Sequence, residues 1–156
     1  MAIAVGDKCP EFTLKDQNNK DFNINSVLGK KIIVLYFYPK DGTPGCTAEA
    51  CSFRDSYEDF KDLGCEVIGI SSDTAERHAK FAEKNRLSFT LLADTKKTVR
   101  KLFDVPTNLF GLIPGRVTYI IDKKGIVRNI YNSLTNAAGH IEESINAVKT
   151  ITNEEA

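Results

Sequence analysis

The chain predicts an α/β fold: a central mixed β-sheet flanked by helices and entered through an N-terminal β-hairpin. Three observations carry that prediction. "KIIVLYFY" (31–38) and "CEVIGIS" (65–71) are nearly continuous apolar, β-rich runs, the pattern of strands covered on both faces. Stretches of helical periodicity alternate with them. Near the C-terminus two strand-like runs flank Lys123-Lys124 as a hairpin and precede a last helix. These patterns do not set the strand order.

Each element has a local reason. "EFTLKDQNNKDFNI" reads as two short strands around a polar turn from Asp16 to Lys20. Pro39 ends the run at 31–38, and a helix follows that stops near Gly64, a good residue just past a helix end. "DTAERHAKFAEKN" (73–85) reads as a helix opened by the capping pattern Asp73-x-x-Glu76. "FTLLAD" (89–94) is a strand, and a short helix runs through Phe103. "VTYIID" (117–122) and "GIVRNIY" (125–131) form the hairpin, and the final helix places Ile141, Ile145 and Val148 on one face. No repeat, low-complexity segment or linker interrupts residues 1–156, so a single domain is expected.

Composition narrows the function classes. Acidic and basic residues balance at 21 each, so no global field draws in nucleic acid or an anionic membrane. No apolar run reaches the roughly 18–20 residues of a membrane span. "MAIAVGDKCP" lacks the basic region of a signal peptide. Four cysteines are too few for a secreted disulfide framework in a chain this long. The expectation is a cytoplasmic domain.

The chemistry concentrates in "YPKDGTPGCTAEACSF" (38–53). Thr43 suits an N-cap, and Pro44 falls at the first helical position, where its missing N–H costs nothing. Cys46 then lies in the first turn, among backbone N–H groups at the positive end of the helix dipole. Such a site favours thiolate over thiol, as a nucleophile requires. The alternative is a buried cysteine serving as a small apolar residue. At 100° per residue, Ala50, Phe53, Tyr57 and Phe60 fall within about 40° of the Cys46 direction, so the thiol ends the core-facing stripe. Glu49 shares that side, either orienting a cation or serving as an ordinary first-turn acid.

Cys51 stands five residues beyond Cys46. Along an α-helix that is a rise of about 7.5 Å and a turn of about 140°, with the Cα atoms roughly 8.6 Å apart. A disulfide needs them within about 7 Å. The two sulfurs therefore cannot bond while the helix is intact. Either the first turns unwind, which Gly42 and Gly45 would ease, or Cys51 is a packing residue.

The pattern Pro39-x-x-x-Thr43-x-x-Cys46 resembles that of the peroxiredoxins. "PGCTAEACSFRD", together with "FTLKDQN", "EVIGIS", "FTLLAD" and "LFGLIPGRVTYIIDKKG", is similar to the peroxiredoxin Q group, also called bacterioferritin comigratory protein. That likeness covers nearly the whole chain. It implies a thioredoxin-like fold and reduction of hydrogen peroxide and alkyl hydroperoxides without a cofactor or metal. It also implies thioredoxin as reductant and a monomer. Cys46 would be the peroxidatic cysteine and Cys51 the resolving one. Thr43 would align the peroxide, and Arg116 would favour the thiolate and polarise the O–O bond. Pro39 would shield the pocket, and Glu49 would orient Arg116. Without the likeness Arg116 reads as a solvated loop charge. Likeness to plant members also admits a plastid location.

The remaining features read as structural. Cys65 is expected to be a buried small residue, Cys9 to be exposed, and His78 and His140 to be surface or capping residues. "LFGLIPG" (109–115) either walls the peroxide pocket or packs on the core. Three rival functions stay open. A general thiol–disulfide oxidoreductase expects Cys-x-x-Cys beside a Trp, and the chain has neither. A zinc or iron–sulfur module expects further ligands at matching spacing. A thioredoxin-like scaffold would leave its cysteines inert.

Overall fold

From Ile32 to Phe37 the sequence offers no polar position, and the chain uses this run as its central strand, buried at every residue. In the computed structural model, residues 3–108, 113–133 and 136–155 are described. The elements are β1 (Thr13–Asp16), β2 (Asp21–Asn23), a 3-10 turn (Ile24–Ser26), β3 (Ile32–Phe37), α1 (Pro44–Asp62), β4 (Cys65–Ser71), α2 (Ala75–Asn85) and β5 (Thr90–Ala93). After these come α3 (Thr98–Phe103), β6 (Thr107–Asn108), β7 (Ile113–Pro114), β8 (Val117–Ile121), β9 (Val127–Asn132) and α4 (Ala137–Glu155).

The main sheet has the order β2-β1-β5-β4-β3-β8-β9. β3 pairs parallel with β4 and antiparallel with β8, which makes the sheet mixed. Strand periodicity divides β3 between two cores. Ile32, Val34 and Tyr36 join Phe53, Phe60, Phe81 and Val148, from α1, α2 and α4. Ile33, Leu35 and Phe37 join Val99 and Phe103 of α3, with Phe12 and Ile24 from the N-terminal segment. This double covering is the mixed α/β sheet the sequence predicts. The N-terminal hairpin and the β8–β9 hairpin form as their sequences suggest.

α1 buries Cys46, Glu49, Ala50, Phe53, Tyr57 and Phe60, the expected stripe with Glu49 added. It stops at Asp62, just before Gly64, whose φ of +74° is the left-handed conformation glycine adopts cheaply. No described helix is long and apolar enough to cross a membrane.

Three expectations need correction. The N-cap of α2 is Thr74, which accepts from the Arg77 amide. Asp73 is occupied elsewhere, accepting from the Ser71 hydroxyl at 2.6 Å and the Asp41 amide at 2.8 Å. Cys9 is buried rather than exposed, and burial pushes its thiol up to about 12. His78 and His140 are both fully buried. The final helix packs Ile141 and Val148 into the core with Ile145 against it, as expected, and buries His140, Ser144 and Ile151 beside them. Cys65 is buried as expected. Residues 109–112 of the apolar loop, including Phe110, lie outside the described residues.

Gly115 precedes β8 at a point where backbone meets backbone. A Cβ there would stand 1.8 Å from the Pro106 carbonyl oxygen, so only glycine lets the chain pass and deliver Arg116. Gly115→Ala is expected to lower stability by about 1–3 kcal/mol in urea unfolding, the usual range for forced overpacking; an unchanged midpoint would mean the loop tolerates the side chain.

Candidate active site

α1 begins at Pro44, with Thr43 in extended conformation at the N-cap (φ −77°, ψ 150°). The Thr43 side chain does not cap the helix. Its hydroxyl donates to the Lys40 carbonyl at 2.8 Å. The first turn thus keeps its positive end uncapped by any side chain, and Cys46 sits within it, 1% exposed.

The sequence alone gave Arg116 little reason to meet this sulfur, yet the β3–β8 pairing brings it there. Phe37 lies opposite Val117, so the residue before β8 arrives beside the loop leaving β3. Arg116 Nη2 donates to Cys46 Sγ at 3.3 Å, and Nη1 donates to Glu49 Oε1 at 2.6 Å. Gly45 leaves room for this approach, since a Cβ there would be 3.0 Å from Nη2. Burial works against the guanidinium charge, but Glu49 and Cys46 outweigh it and hold Arg116 more firmly protonated than usual.

Glu49 is fully buried, and burial pushes its carboxyl up to about 7 although Arg116 opposes the shift. Its second oxygen, Oε2, has no hydrogen-bond partner among the described residues. Behind it stands His140, with Nδ1 3.7 Å from Oε2. His140 Nε2 lies 2.7 Å from the Ser133 carbonyl, which can only accept, so Nε2 carries the proton. Nδ1 therefore accepts from the Thr118 hydroxyl at 2.7 Å and has nothing to donate to Glu49. Burial, reinforced by the Arg116 charge, pushes His140 down to about 4. A proton entering this pair goes to Glu49.

A second buried network fixes the loop between β3 and α1. Asp41 Oδ1 accepts from the Tyr38 hydroxyl at 2.6 Å, and Asp41 Oδ2 lies 2.6 Å from His78 Nδ1. His78 Nε2 donates to the Leu92 carbonyl at 2.9 Å. Asp41, Asp73 and His78 are close enough together to suggest a metal. Their facing atoms are instead engaged with Tyr38, Ser71, Arg77 and one another, which is the chemistry of a clamp. From the opposite side Arg100 of α3 donates to the Tyr38 carbonyl and the Gly115 carbonyl, each at 3.1 Å. One guanidinium thus ties the residue before Pro39 to the residue before Arg116. Pro39 is half-buried at the start of this loop.

Cys51 lies inside α1 and is half-buried, and both it and Cys46 are free thiols. The intact helix therefore keeps apart two sulfurs whose spacing forbids a bond in that state.

Comparisons with known proteins give the family and the fold. Residues 5–130 match the AhpC/TSA family model. The chain is 51% identical over 149 residues to a chloroplastic peroxiredoxin Q of Triticum aestivum, covering 96% of this chain and 68% of that one. The chain belongs to the AhpC/TSA family, in its peroxiredoxin Q group. Its fold is similar to the crystal structure of peroxidoxin BcpB from Mycobacterium tuberculosis, with TM-score 0.87, 34% identity, and 96% and 98% of the two chains covered. It is also similar to the bacterioferritin comigratory protein of Xanthomonas campestris, with TM-score 0.82, 27% identity, and 90% and 92% covered. This peroxiredoxin is accordingly a thiol peroxidase.

Of the six site residues the sequence suggested, Cys46, Glu49 and Arg116 make direct contact. Thr43 and Pro39 border them on the loop before α1, and Cys51 stands apart. His140, Arg100 and His78 were missed. His140 had a readable signal, since 140, 144, 148 and 151 form one helical stripe, and so had His78 with Phe81 and Ala82. Arg100 had none, because its partners are two backbone carbonyls far along the chain.

The opposed shifts of His140 and Glu49 make a pH signature. The folded value of His140 lies below its ordinary 6.5, so its share of stability is present above that pH and lost as pH falls through about 4. Glu49 lies above its ordinary 4.5, so its protonation stabilises the fold as pH falls from about 7. His140→Gln removes the first effect and keeps the second. Urea unfolding at pH 7 and pH 4.5 is expected to show the variant losing less stability on acidification than wild type; parallel losses would contradict the assignment.

Proposed function

We propose that Cys46 is the peroxidatic cysteine and Cys51 the resolving cysteine of a cycle that reduces hydrogen peroxide and alkyl hydroperoxides. The observation that carries this reading is the Arg116 guanidinium donating to Cys46 Sγ while Glu49 braces its other arm. A thiolate there faces a fixed cation and the positive end of α1, the setting a sulfur nucleophile requires.

Cys46 reacts as the thiolate, and the peroxide proton stays on the hydroxyl oxygen that is attacked, so the electrons move from sulfur and the proton ends on the sulfenic acid. Cys46 Sγ attacks the nearer peroxide oxygen, the S–O bond forms and the O–O bond breaks. Sulfur is oxidised to sulfenic acid, and the peroxide is reduced to alcohol or water once its leaving oxygen takes a proton from solvent. Negative charge passes from sulfur to the leaving oxygen, where preorganised donors act most strongly. Arg116 is one such donor. The Thr43 hydroxyl proton is committed to Lys40, which leaves the oxygen lone pairs to accept from the peroxide O–H and set its direction. Pro39 contributes an apolar edge that limits water, and Glu49 keeps Arg116 aimed at the sulfur.

Resolution requires α1 to unwind through its first turns. Cys51 then condenses with the sulfenic acid, and thioredoxin or a similar dithiol protein reduces the disulfide by exchange. Alkyl hydroperoxides are included because the Xanthomonas relative is described for alkyl peroxide reduction. An internal resolving pair asks for no second subunit, so we read the active form as a monomer that engages neither nucleic acid nor membrane. The cycle asks for a compartment that keeps thiols reduced, as the cytoplasm does. A plastid, named for the wheat relative, meets the same need.

The test begins with fully reduced protein, one equivalent of hydrogen peroxide and peptide mass spectrometry. The wild type is expected to yield a Cys46–Cys51 disulfide, and Cys51→Ser a Cys46 sulfenic acid. Arg116→Met is expected to slow Cys46 oxidation by about 10²–10³-fold, the usual cost of removing a charge-stabilising donor. Untouched thiols in the wild type would overturn the reading.

A further inference from the structure

We propose that Asn85, the last residue of α2, is a positioning residue for the resolving thiol, holding Cys51 in place while the turn that carries Cys46 comes to it. The inference rests on Cys51 being the resolving cysteine, as proposed above. It adds which part of the helix moves, which part stays, and what holds it.

Cys51 Sγ donates to Asn85 Oδ1 at 3.7 Å, a long contact of the kind sulfur makes. The amide orientation is settled by its other arm, since Asn85 Nδ2 donates to the Phe81 carbonyl at 3.0 Å. Oδ1 is thereby left for the thiol. The main chain of the same residue forms a second link. The final carbonyls of a helix have no partner within it, and Arg54 Nη1 donates to the Asn85 carbonyl at 2.8 Å. Arg54 is three residues beyond Cys51 on α1, so the two side chains are neighbours on one face. α1 is therefore tied to the end of α2 at Cys51 and again at Arg54.

Among the described residues, no such side-chain hydrogen bond ties the turn before Cys51 to α2. That turn is held through Cys46 and Glu49 to Arg116, which directly precedes β8 rather than belonging to α2. Sulfenic acid formation removes the negative charge from Cys46 and weakens that hold. The motion that follows releases residues 44–50 and leaves Cys51 docked. Cys51 Sγ then displaces the hydroxyl from Cys46 Sγ. The S–S bond forms, the S–O bond breaks, and the Cys51 proton leaves with the hydroxyl as water. The Cys46 sulfur is reduced by the same step that oxidises the Cys51 sulfur. A docked acceptor shortens the search, whereas a free one competes poorly with a second peroxide.

The experiment uses rapid mixing of the full chain with hydrogen peroxide, quenching, and mass spectrometric counting of Cys46 sulfenic acid, disulfide and sulfinic acid over time. In Asn85→Ala the slowing is expected to fall on the second step alone. Disulfide formation should drop roughly three- to tenfold, the scale of one lost hydrogen bond, with sulfinic acid at excess peroxide rising in proportion. Asn85→Asp keeps the size and the acceptor but sets a carboxylate beside the thiol. It should also slow resolution, by a factor that shrinks as pH rises. Disulfide formation in Asn85→Ala at the wild-type rate or faster would overturn the proposal, as would equal slowing of both steps. A Cys51→Ser control run alongside separates the two readings. If wild type forms the disulfide and Cys51→Ser does not, Cys51 is resolving whatever Asn85 does.

Discussion

One buried guanidinium organises this site. Arg116 stands between a carboxylate and a sulfur, 4% exposed, with one arm on each. A buried charge is tolerable only when paired and hydrogen-bonded, and here the carboxylate and the sulfur come from the first turns of one helix. The arginine therefore reads the conformation of α1 as well as the charge on Cys46. Glu49 Oε2 receives no donor from His140, because Thr118 and Ser133 lock that ring in the tautomer facing the wrong way. Glu49 thus depends on Arg116 for its compensation, and this dependence keeps the guanidinium aimed.

The scaffold delivers these groups from both sides of the sheet. α3 lies on the face opposite α1, yet its Arg100 reaches the carbonyls of Tyr38 and Gly115. The loop entering α1 and the loop entering β8 are set against each other by that one side chain. From the α2 side, Asp41, His78 and Asp73 hold the loop before Thr43. The peroxidatic loop is rigid at its base, and the turn that follows it hangs on Arg116, a hold that depends on the charge at Cys46. Such a division lets a thiol be presented accurately in one state and moved in the next.

What the sequence disclosed follows from how far each signal reaches. β3, β4 and the buried stripe of α1 were legible because periodicity is local. Cys46 was legible because Thr43 and Pro44 mark a helix start. Arg116 was not legible from its own neighbourhood. It meets Cys46 across 70 residues, and only the family likeness raised it from a loop charge. Asp73 misled for a related reason: it sits in a good capping pattern, but Ser71 and the Asp41 amide compete for its carboxylate. Cys9 and His78 have polar neighbours in the sequence, and they and His140 are buried only through contacts made across the fold.

The account turns on a conflict that the structure makes explicit. Both cysteines lie in one continuous helix, Pro44 to Asp62, and a continuous helix holds them too far apart to bond. Function and fold are compatible only if the helix is lost locally in each cycle. Amide hydrogen exchange on the reduced protein and on its Cys46–Cys51 disulfide form tests this most directly. The account predicts that oxidation removes protection from the amides of residues 47–50 while those of 55–60, whose carbonyl partners lie at or beyond Cys51, stay protected. Protection retained through residues 47–50 in the disulfide form would contradict it.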